Sequence, residues 1–209
     1  MDYCVYFKED SRVMVYLVLY VDDMFIASVS MSLIEDLKHK LKGEFDIKDL
    51  GPAKKILGMQ LHRNRNTGPL FLSQEEYIIR VLDKSGIANS KPVQTPLAPH
   101  FGLSEQLCPK VEDKVYEMMN IPYASAVGCL MYAMVLTRLD LSYTVSVVSR
   151  YMSNPGKEHW RAVKWILIYL NGIATYGLMY GGQRQDDSQI IGYVDSNYDG
   201  DLDRRMSLK

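Results

Sequence analysis

Two adjacent aspartates stand between two runs of apolar residues near the start of the chain. They are Asp22 and Asp23, in the stretch LVLYVDDMFIA that runs from residue 17 to residue 27. Two like charges about 4 Å apart repel by roughly 1 kcal/mol in water, and by more in a cleft of low dielectric constant. A divalent cation would neutralise the pair, and carboxylate oxygens are the ligands that Mg²⁺ prefers. The pair therefore predicts either a metal-binding site or an ordinary Asp-containing turn.

The apolar runs on either side predict how the aspartates are positioned. Residues 13–21 form a continuous apolar run rich in β-branched and aromatic side chains, which is typical of a strand buried on both faces. Residues 24–29 fit a partner strand, so the simplest prediction is an antiparallel hairpin with Asp22 and Asp23 at its tip. A two-residue hairpin turn usually contains glycine, and none is present here. Local turn chemistry therefore explains the pair poorly.

The following hundred residues alternate between predicted helices and strands. Helical apolar stripes follow Ser32 and Ser73, and each start fits a capping box with a glutamate three residues later. A second hairpin is predicted between residues 56 and 72, around a polar, glycine-containing loop. Residues 89–122 contain five prolines and predict an extended connection along the surface.

The last third of the chain predicts helices followed by strands. Residues 123–136 are small or apolar almost all round, which predicts a central helix. Asp140 is expected to cap the next helix, and a third is expected after Gly156. Residues 176–180 and 190–195 predict strands. The expected fold class is therefore α+β.

Composition narrows the classes of function. The formal net charge is −1, from 24 basic and 25 acidic residues, so any nucleic-acid binding must depend on local patches. Three cysteines without metal-binding spacing favour reduced thiols in an intracellular protein. The longest apolar run has nine residues, too few to span a bilayer, and the N-terminus lacks the pattern of a signal peptide. We therefore expect neither a membrane location nor secretion.

The Tyr-x-Asp-Asp hairpin resembles the catalytic palm hairpin of reverse transcriptases, and the resemblance extends along nearly the whole chain. An ordered series of motifs is similar to the copia-type LTR retrotransposon Pol polyprotein: Tyr20-Val21-Asp22-Asp23, Leu57-Gly58-Met59, Leu72-Ser73-Gln74, Lys91-Pro92, Thr95-Pro96, Tyr123 to Arg138, His159-Trp160, Tyr169-Leu170, Tyr176-Gly177-Leu178 and Gly192-Tyr193-Val194-Asp195. The four-residue motif alone is weakly specific, whereas the ordered series is highly specific.

The resemblance implies a domain organisation. Residues 1–88 would form part of the reverse transcriptase palm and the start of the thumb, and residues 89–122 an extended linker. Residues 123–180 would form a helical connection region. Residues 181–209 would begin an RNase H-like β-sheet. The expected fold is thus a partial palm hairpin, a helical thumb and connection, and the first strands of RNase H.

The resemblance also implies two-metal nucleotidyl transfer with Mg²⁺ or Mn²⁺. Asp22 would be the main metal ligand and Asp23 its weaker companion, while Tyr20 and Val21 would face the primer end and the incoming nucleotide. Asp195 would bind metal in the RNase H part. The intact parent enzyme would use an RNA template, a DNA primer and dNTPs, in cytoplasmic particles whose product DNA reaches the nucleus.

Three basic residues of the second predicted hairpin are candidates for contacts with nucleic-acid phosphates. They are His62, Arg63 and Arg65. An ordinary solvated hairpin accounts for them equally well. His159 could suggest catalysis, but its place at the start of an amphipathic helix favours packing.

The catalytic centres are expected to be incomplete. Family polymerases add an aspartate from a strand upstream of the Tyr-x-Asp-Asp hairpin, and none of the 19 residues before Tyr20 offers one in a matching motif. RNase H chemistry needs several carboxylates, and residues 190–195 supply one. We therefore expect a polymerase fragment that is inactive alone. The alternatives are a non-catalytic remnant that binds nucleic acid or protein, and an unexpressed gene model.

Overall fold

The structure is a computed structural model that describes residues 4–10, 12–64, 68–181 and 203. The chain divides into two compact units, residues 1–61 and residues 62–209. The first unit contains a three-stranded sheet and one long helix, and the second is mainly helical. This mixture confirms the α+β class. The RNase H-like strand predicted at residues 190–195 lies outside the described residues.

The first unit is built on an antiparallel sheet of three strands. Its strands are β1 (Val5–Asp10), β2 (Val13–Tyr20) and β3 (Asp23–Ser28), with β2 in the middle. The predicted hairpin is therefore present as β2 and β3. β1 is an additional strand, which its charged second half (KED) does not reveal in the sequence.

The prediction that residues 13–21 form a strand buried on both faces is wrong. Val15 is the one buried residue of β1, β2 and β3, whereas Tyr16 and Tyr20 are 43% and 53% exposed. Because side chains alternate between the two faces of a strand, Tyr16 and Tyr20 share one face and Val15 lies on the other. The apolar run therefore predicts the strand but not how much of it is covered.

A helix follows β3 and contacts it. This helix, α1, spans Met31–Glu44, and none of its residues is fully buried. Ser30 is its N-cap residue, and the Oγ of Ser30 lies 2.8 Å from the Oγ of Ser32 instead of accepting a helix N–H. The predicted helix is confirmed. The capping box at Ser32 is wrong, since the N-cap is Ser30, two residues earlier.

Residues 56–63 do not form one strand. β4 (Lys55–Ile56) pairs antiparallel with β5 (Met59–Arg63) across a two-residue turn. The turn residues Leu57 and Gly58 have φ angles of 49° and 71°, the signs of a type I′ turn. The chain therefore reverses at a point where the sequence suggests continuous extension.

The second unit surrounds one apolar core. Its elements are β6 (Leu70–Ser73), α2 (Glu75–Lys84), α3 (Glu112–Met119), α4 (Tyr123–Leu136), α5 (Ser142–Ser149), α6 (Lys157–Gly172) and β7 (Gly177–Tyr180). β6 and β7 pair antiparallel. The predicted central helix is confirmed, since α4 has the expected bounds and contributes five buried residues to the core. Helices α2, α5 and α6 supply most of the remaining core.

The predicted extended connection 89–122 contains a helix. α3 lies between Pro109 and Pro122, in a stretch without proline that can therefore complete its backbone hydrogen bonds. Ala98 and Leu103 are buried, so this part of the chain is anchored in the core instead of following the surface. No single helix among the described residues is long and apolar enough to cross a membrane, although α3 and α4 together, bent by 53°, satisfy the same test of length and composition.

Candidate metal-binding hairpin

The turn between β2 and β3 differs by one residue from the predicted tip. Tyr20 pairs with Asp23 across the two strands, so the two turn residues are Val21 and Asp22. Asp23 is the first residue of β3. The two aspartates therefore differ in local structure, one in the turn and one in a strand.

Val21 adopts a backbone conformation that is rare for its residue type. Its φ is 52°, and a positive φ at the first turn residue alone is the pattern of a type II′ turn, a position that favours glycine. β-Branched residues at positive φ are genuine outliers, and such conformations store about 1–3 kcal/mol of strain. The side chain is 89% exposed, so packing does not offset this strain energy. Backbone strain thus occurs within the stretch proposed to carry the chemistry.

Both aspartates present their carboxylates to solvent. Asp22 and Asp23 are exposed, and neither has a hydrogen-bond or ion-pair partner among the described residues. Directly paired residues of an antiparallel sheet share a face, so Asp23 lies on the same face as Tyr20. Unpaired carboxylate oxygens fit a hard divalent cation, which typically takes one or two carboxylates and completes its shell with water and phosphate.

The hairpin alone provides a limited set of ligands. No group of three or more His, Cys, Asp or Glu residues that could hold a metal occurs within the described part of the chain. Asp195, the other predicted ligand, lies outside the described residues. The described site therefore consists of two carboxylates on one hairpin.

The predicted phosphate-binding residues lie in the second unit. His62 and Arg63 are exposed at the end of β5, and the His62 ring lies 6.2 Å from the Phe71 ring. Arg65 lies outside the described residues. The N–H of Asn64 donates to the carbonyl of Pro69 at 3.3 Å. The side chains of His62 and Arg63 are accessible to a ligand, and their contacts do not identify what kind of ligand would bind.

Sequence reasoning missed an ion pair after α4, in which the arginine is buried and the aspartate is more than a third exposed. Arg138 is 3% exposed, and its guanidinium donates to both carboxylate oxygens of Asp140 at 3.0 and 2.8 Å. It also donates to the carbonyl of Ile173 at 2.6 Å, and Asp140 accepts a hydrogen bond from the Tyr169 hydroxyl at 2.9 Å. The predicted capping role of Asp140 is wrong, because α5 begins at Ser142 and the carboxylate is engaged by Arg138.

The ion pair governs the protonation of Asp140. Burial alone would raise the pKa of this carboxyl group. The hydrogen bonds and charge of Arg138, together with the Tyr169 hydroxyl, outweigh burial and lower the pKa below its ordinary value. The available sequence signal was the Arg-x-Asp spacing directly after an apolar helix. A two-residue spacing does not show which partner is buried.

His159 is a buried structural residue. Its side chain is fully buried, and its Nδ1 accepts the N–H of Gly156 at 2.9 Å. This leaves Nε2 to donate to the carbonyl of Ser104, at 3.2 Å. Burial lowers the pKa of the imidazole. A neutral ring engaged at both nitrogens agrees with the packing role expected from the sequence.

Comparison with known proteins gives matches to reverse transcriptases and to retrotransposon Pol polyproteins. The sequence profile of the family described as reverse transcriptase (RNA-dependent DNA polymerase) matches residues 1–99. The retrovirus-related Pol polyprotein from transposon TNT 1-94 of Nicotiana tabacum is 51% identical over 207 residues, which cover 99% of this chain and 15% of that protein. The Pol polyprotein from transposon RE1 of Arabidopsis thaliana is 32% identical over 206 residues, covering 99% and 13%.

A third relative is of similar length to the chain. It is an uncharacterized mitochondrial protein of Arabidopsis thaliana, 32% identical over 194 residues that cover 92% of this chain and 75% of that protein. No solved structure matches the chain. The chain thus spans about a seventh of each of the two Pol polyproteins and three quarters of the mitochondrial protein. Residues 1–99, which contain the Tyr-x-Asp-Asp hairpin, therefore match the reverse transcriptase family, and the chain is similar over nearly its whole length to retrotransposon Pol polyproteins.

Proposed function

We propose that the chain is part of a copia-type RNA-directed DNA polymerase and that its β2–β3 hairpin contributes metal ligands to nucleotidyl transfer. The observation that carries this proposal is the pair of exposed carboxylates at the end of an otherwise apolar hairpin, which have no side-chain partner among the residues that the structure describes. The substrates in the intact parent enzyme would be an RNA template, a DNA primer and dNTPs. The ordered motifs and the relatives support this assignment.

The chemistry of the donors fits Mg²⁺ or Mn²⁺. In phosphoryl transfer such ions neutralise developing charge and activate the attacking hydroxyl. Asp22 is proposed as the main ligand and Asp23 as its companion. Tyr20, on the same face as Asp23, is proposed to contact the primer end or the nucleotide, together with Val21.

The isolated chain is proposed to lack polymerase activity. Two-metal sites need enough carboxylates to hold both ions, and the described residues supply two in this hairpin. Residues 181–209 are proposed to begin an RNase H-like region with Asp195 as a metal ligand, on the strength of the sequence resemblance. A cytoplasmic location is proposed on the same basis.

Metal binding at the hairpin can be tested directly. We expect Mn²⁺ at millimolar concentration to broaden the NMR amide signals of residues 20–24, because unpaired carboxylates bind it weakly. Asp22→Asn with Asp23→Asn should abolish that broadening. Asp46→Asn changes an exposed carboxylate outside the hairpin and should leave it intact. Equal broadening in the double variant would contradict the assignment of these ligands.

Polymerase activity needs a separate test. The purified chain with an RNA template, a DNA primer, dNTPs and Mg²⁺ or Mn²⁺ should give no primer extension. Extension that Asp22→Asn abolishes would overturn the proposed inactivity while supporting the proposed ligands. Extension that survives Asp22→Asn would contradict both.

Nucleic-acid binding without chemistry is the second candidate function. The exposed His62 and Arg63 at the end of β5 favour it, since accessible basic side chains can contact phosphates. We expect salt-dependent binding to an RNA–DNA hybrid that weakens in the variant Arg63→Gln. Absence of binding at low salt would exclude this function.

A further inference from the structure

Asp203 contacts the helical unit from a point far along the chain. Its carboxylate oxygens accept the backbone N–H of Glu105 at 2.9 and 3.1 Å. One of these oxygens also accepts the Tyr151 hydroxyl at 3.0 Å. These bonds join residues separated by 98 and 52 positions in the sequence.

The two donors are also held by contacts that do not involve Asp203. Tyr151 is 4% exposed, and its ring stacks on the His159 ring with centroids 4.0 Å apart and planes inclined by 14°. The Nε2 of His159 bonds the carbonyl of Ser104, which belongs to the same peptide unit as the N–H of Glu105. His159 therefore orients both donors, one through its ring face and one through the Ser104–Glu105 peptide.

We infer that the Glu105 N–H and the Tyr151 hydroxyl form a carboxylate cradle in which the side chain of Asp203 docks onto the helical unit. The cradle selects a carboxylate because it offers two donors, and an ionised carboxylate accepts through both oxygens. Hydrogen bonds to an ionised acceptor are roughly twice as strong as neutral ones. The inference does not depend on the proposed polymerase function.

The amide of Glu105 provides a specific test. Hydrogen exchange measured by NMR on the full chain should show this amide protected, and Asp203→Asn should accelerate its exchange about tenfold. In that variant an amide NH₂ group would face one of the two donors. The matched control is Asp113→Asn, which removes the same charge from an exposed residue of α3 and should leave the Glu105 exchange rate unchanged.

Two further measurements separate docking from a general loss of stability. Tyr151→Phe removes the hydroxyl but keeps the ring on His159, and it should also accelerate exchange at Glu105. Alkylation of Cys108 should be faster in Asp203→Asn, because burial and then the charges of Glu105 and Asp203 raise the pKa of this thiol. An unchanged Glu105 exchange rate in Asp203→Asn would overturn the inference. If the docking joined two copies of the chain, tenfold dilution would accelerate Glu105 exchange in the wild-type chain and so abolish its difference from Asp203→Asn. That result would also overturn the inference.

Discussion

Replacing Val21 by glycine should stabilise the first unit, although the change removes an entire side chain. An L-residue in the left-handed region costs about 1–2 kcal/mol, and glycine avoids this cost. Glycine increases the conformational entropy of the unfolded chain, which costs about 0.4–1 kcal/mol. Val21 has a φ of 52° and is 89% exposed, so little burial is lost. The expected net result of Val21→Gly is a stabilisation of about 1 kcal/mol.

Hydrogen exchange of the β2 and β3 amides is the appropriate assay, because it reports on the hairpin separately from the helical unit. A gain of this size should slow exchange about fivefold. Val29→Gly is the matched control, since Val29 is 92% exposed and its φ is not positive. Glycine there should bring only the entropic cost and accelerate exchange. If both variants accelerated exchange equally, the turn would not be strained at Val21 and the reasoning would fail.

Three further predictions concern the helical unit. Arg138→Met should destabilise it by about 2 kcal/mol, because the carbonyl of Ile173 loses its donor and the partly exposed Asp140 loses its ion-pair partner. Urea unfolding followed by the fluorescence of Trp160 and Trp165 would measure this, and a loss below about 1 kcal/mol would contradict it. The folded-state pKa of Asp140 is lowered, so its contribution to the stability of the helical unit should be present above about pH 4 and lost as the pH falls through the folded-state pKa. Asp140→Asn should remove this pH dependence. Burial lowers the folded-state pKa of His159, so stability should fall as the pH drops below about 6.5, because the unfolded chain binds the proton first. His159→Gln should flatten this dependence of stability on pH. An unchanged dependence would contradict the assignment.

Sequence patterns predicted the regular elements well where burial is strong. The apolar stretch 123–136 forms a helix with the expected bounds because one side of α4 is buried in the core, while Ala124, Ser125 and Gly128 on the exposed side are small. Gly86 ends α2 as expected, with a φ of 66° that glycine adopts without strain. Patterns were less informative where tertiary contacts decide. β1 ends in charged residues, and only its pairing with β2 identifies it as a strand.

The candidate site was predictable in its residues but not in its geometry. The pair Asp22-Asp23 is evident in the sequence, yet the turn lies at Val21 and Asp22 because the register pairs Tyr20 with Asp23. Register depends on the sum of cross-strand contacts, which a two-residue motif does not encode. The Arg138–Asp140 pair and the cradle of Asp203 depend on contacts between distant parts of the chain, so spacing alone could not reveal them.

The central place of β2 has a consequence for self-association. The sheet ends in two unlike edges: β1 carries Lys8, Glu9 and Asp10, whereas β3 has Asp23 as its one charged residue. Charged side chains on an edge strand discourage pairing with another molecule, and an apolar edge invites it. Two copies that joined through β3 would leave both β1 edges outermost. Association through this sheet would therefore stop at a pair instead of growing into a fibril.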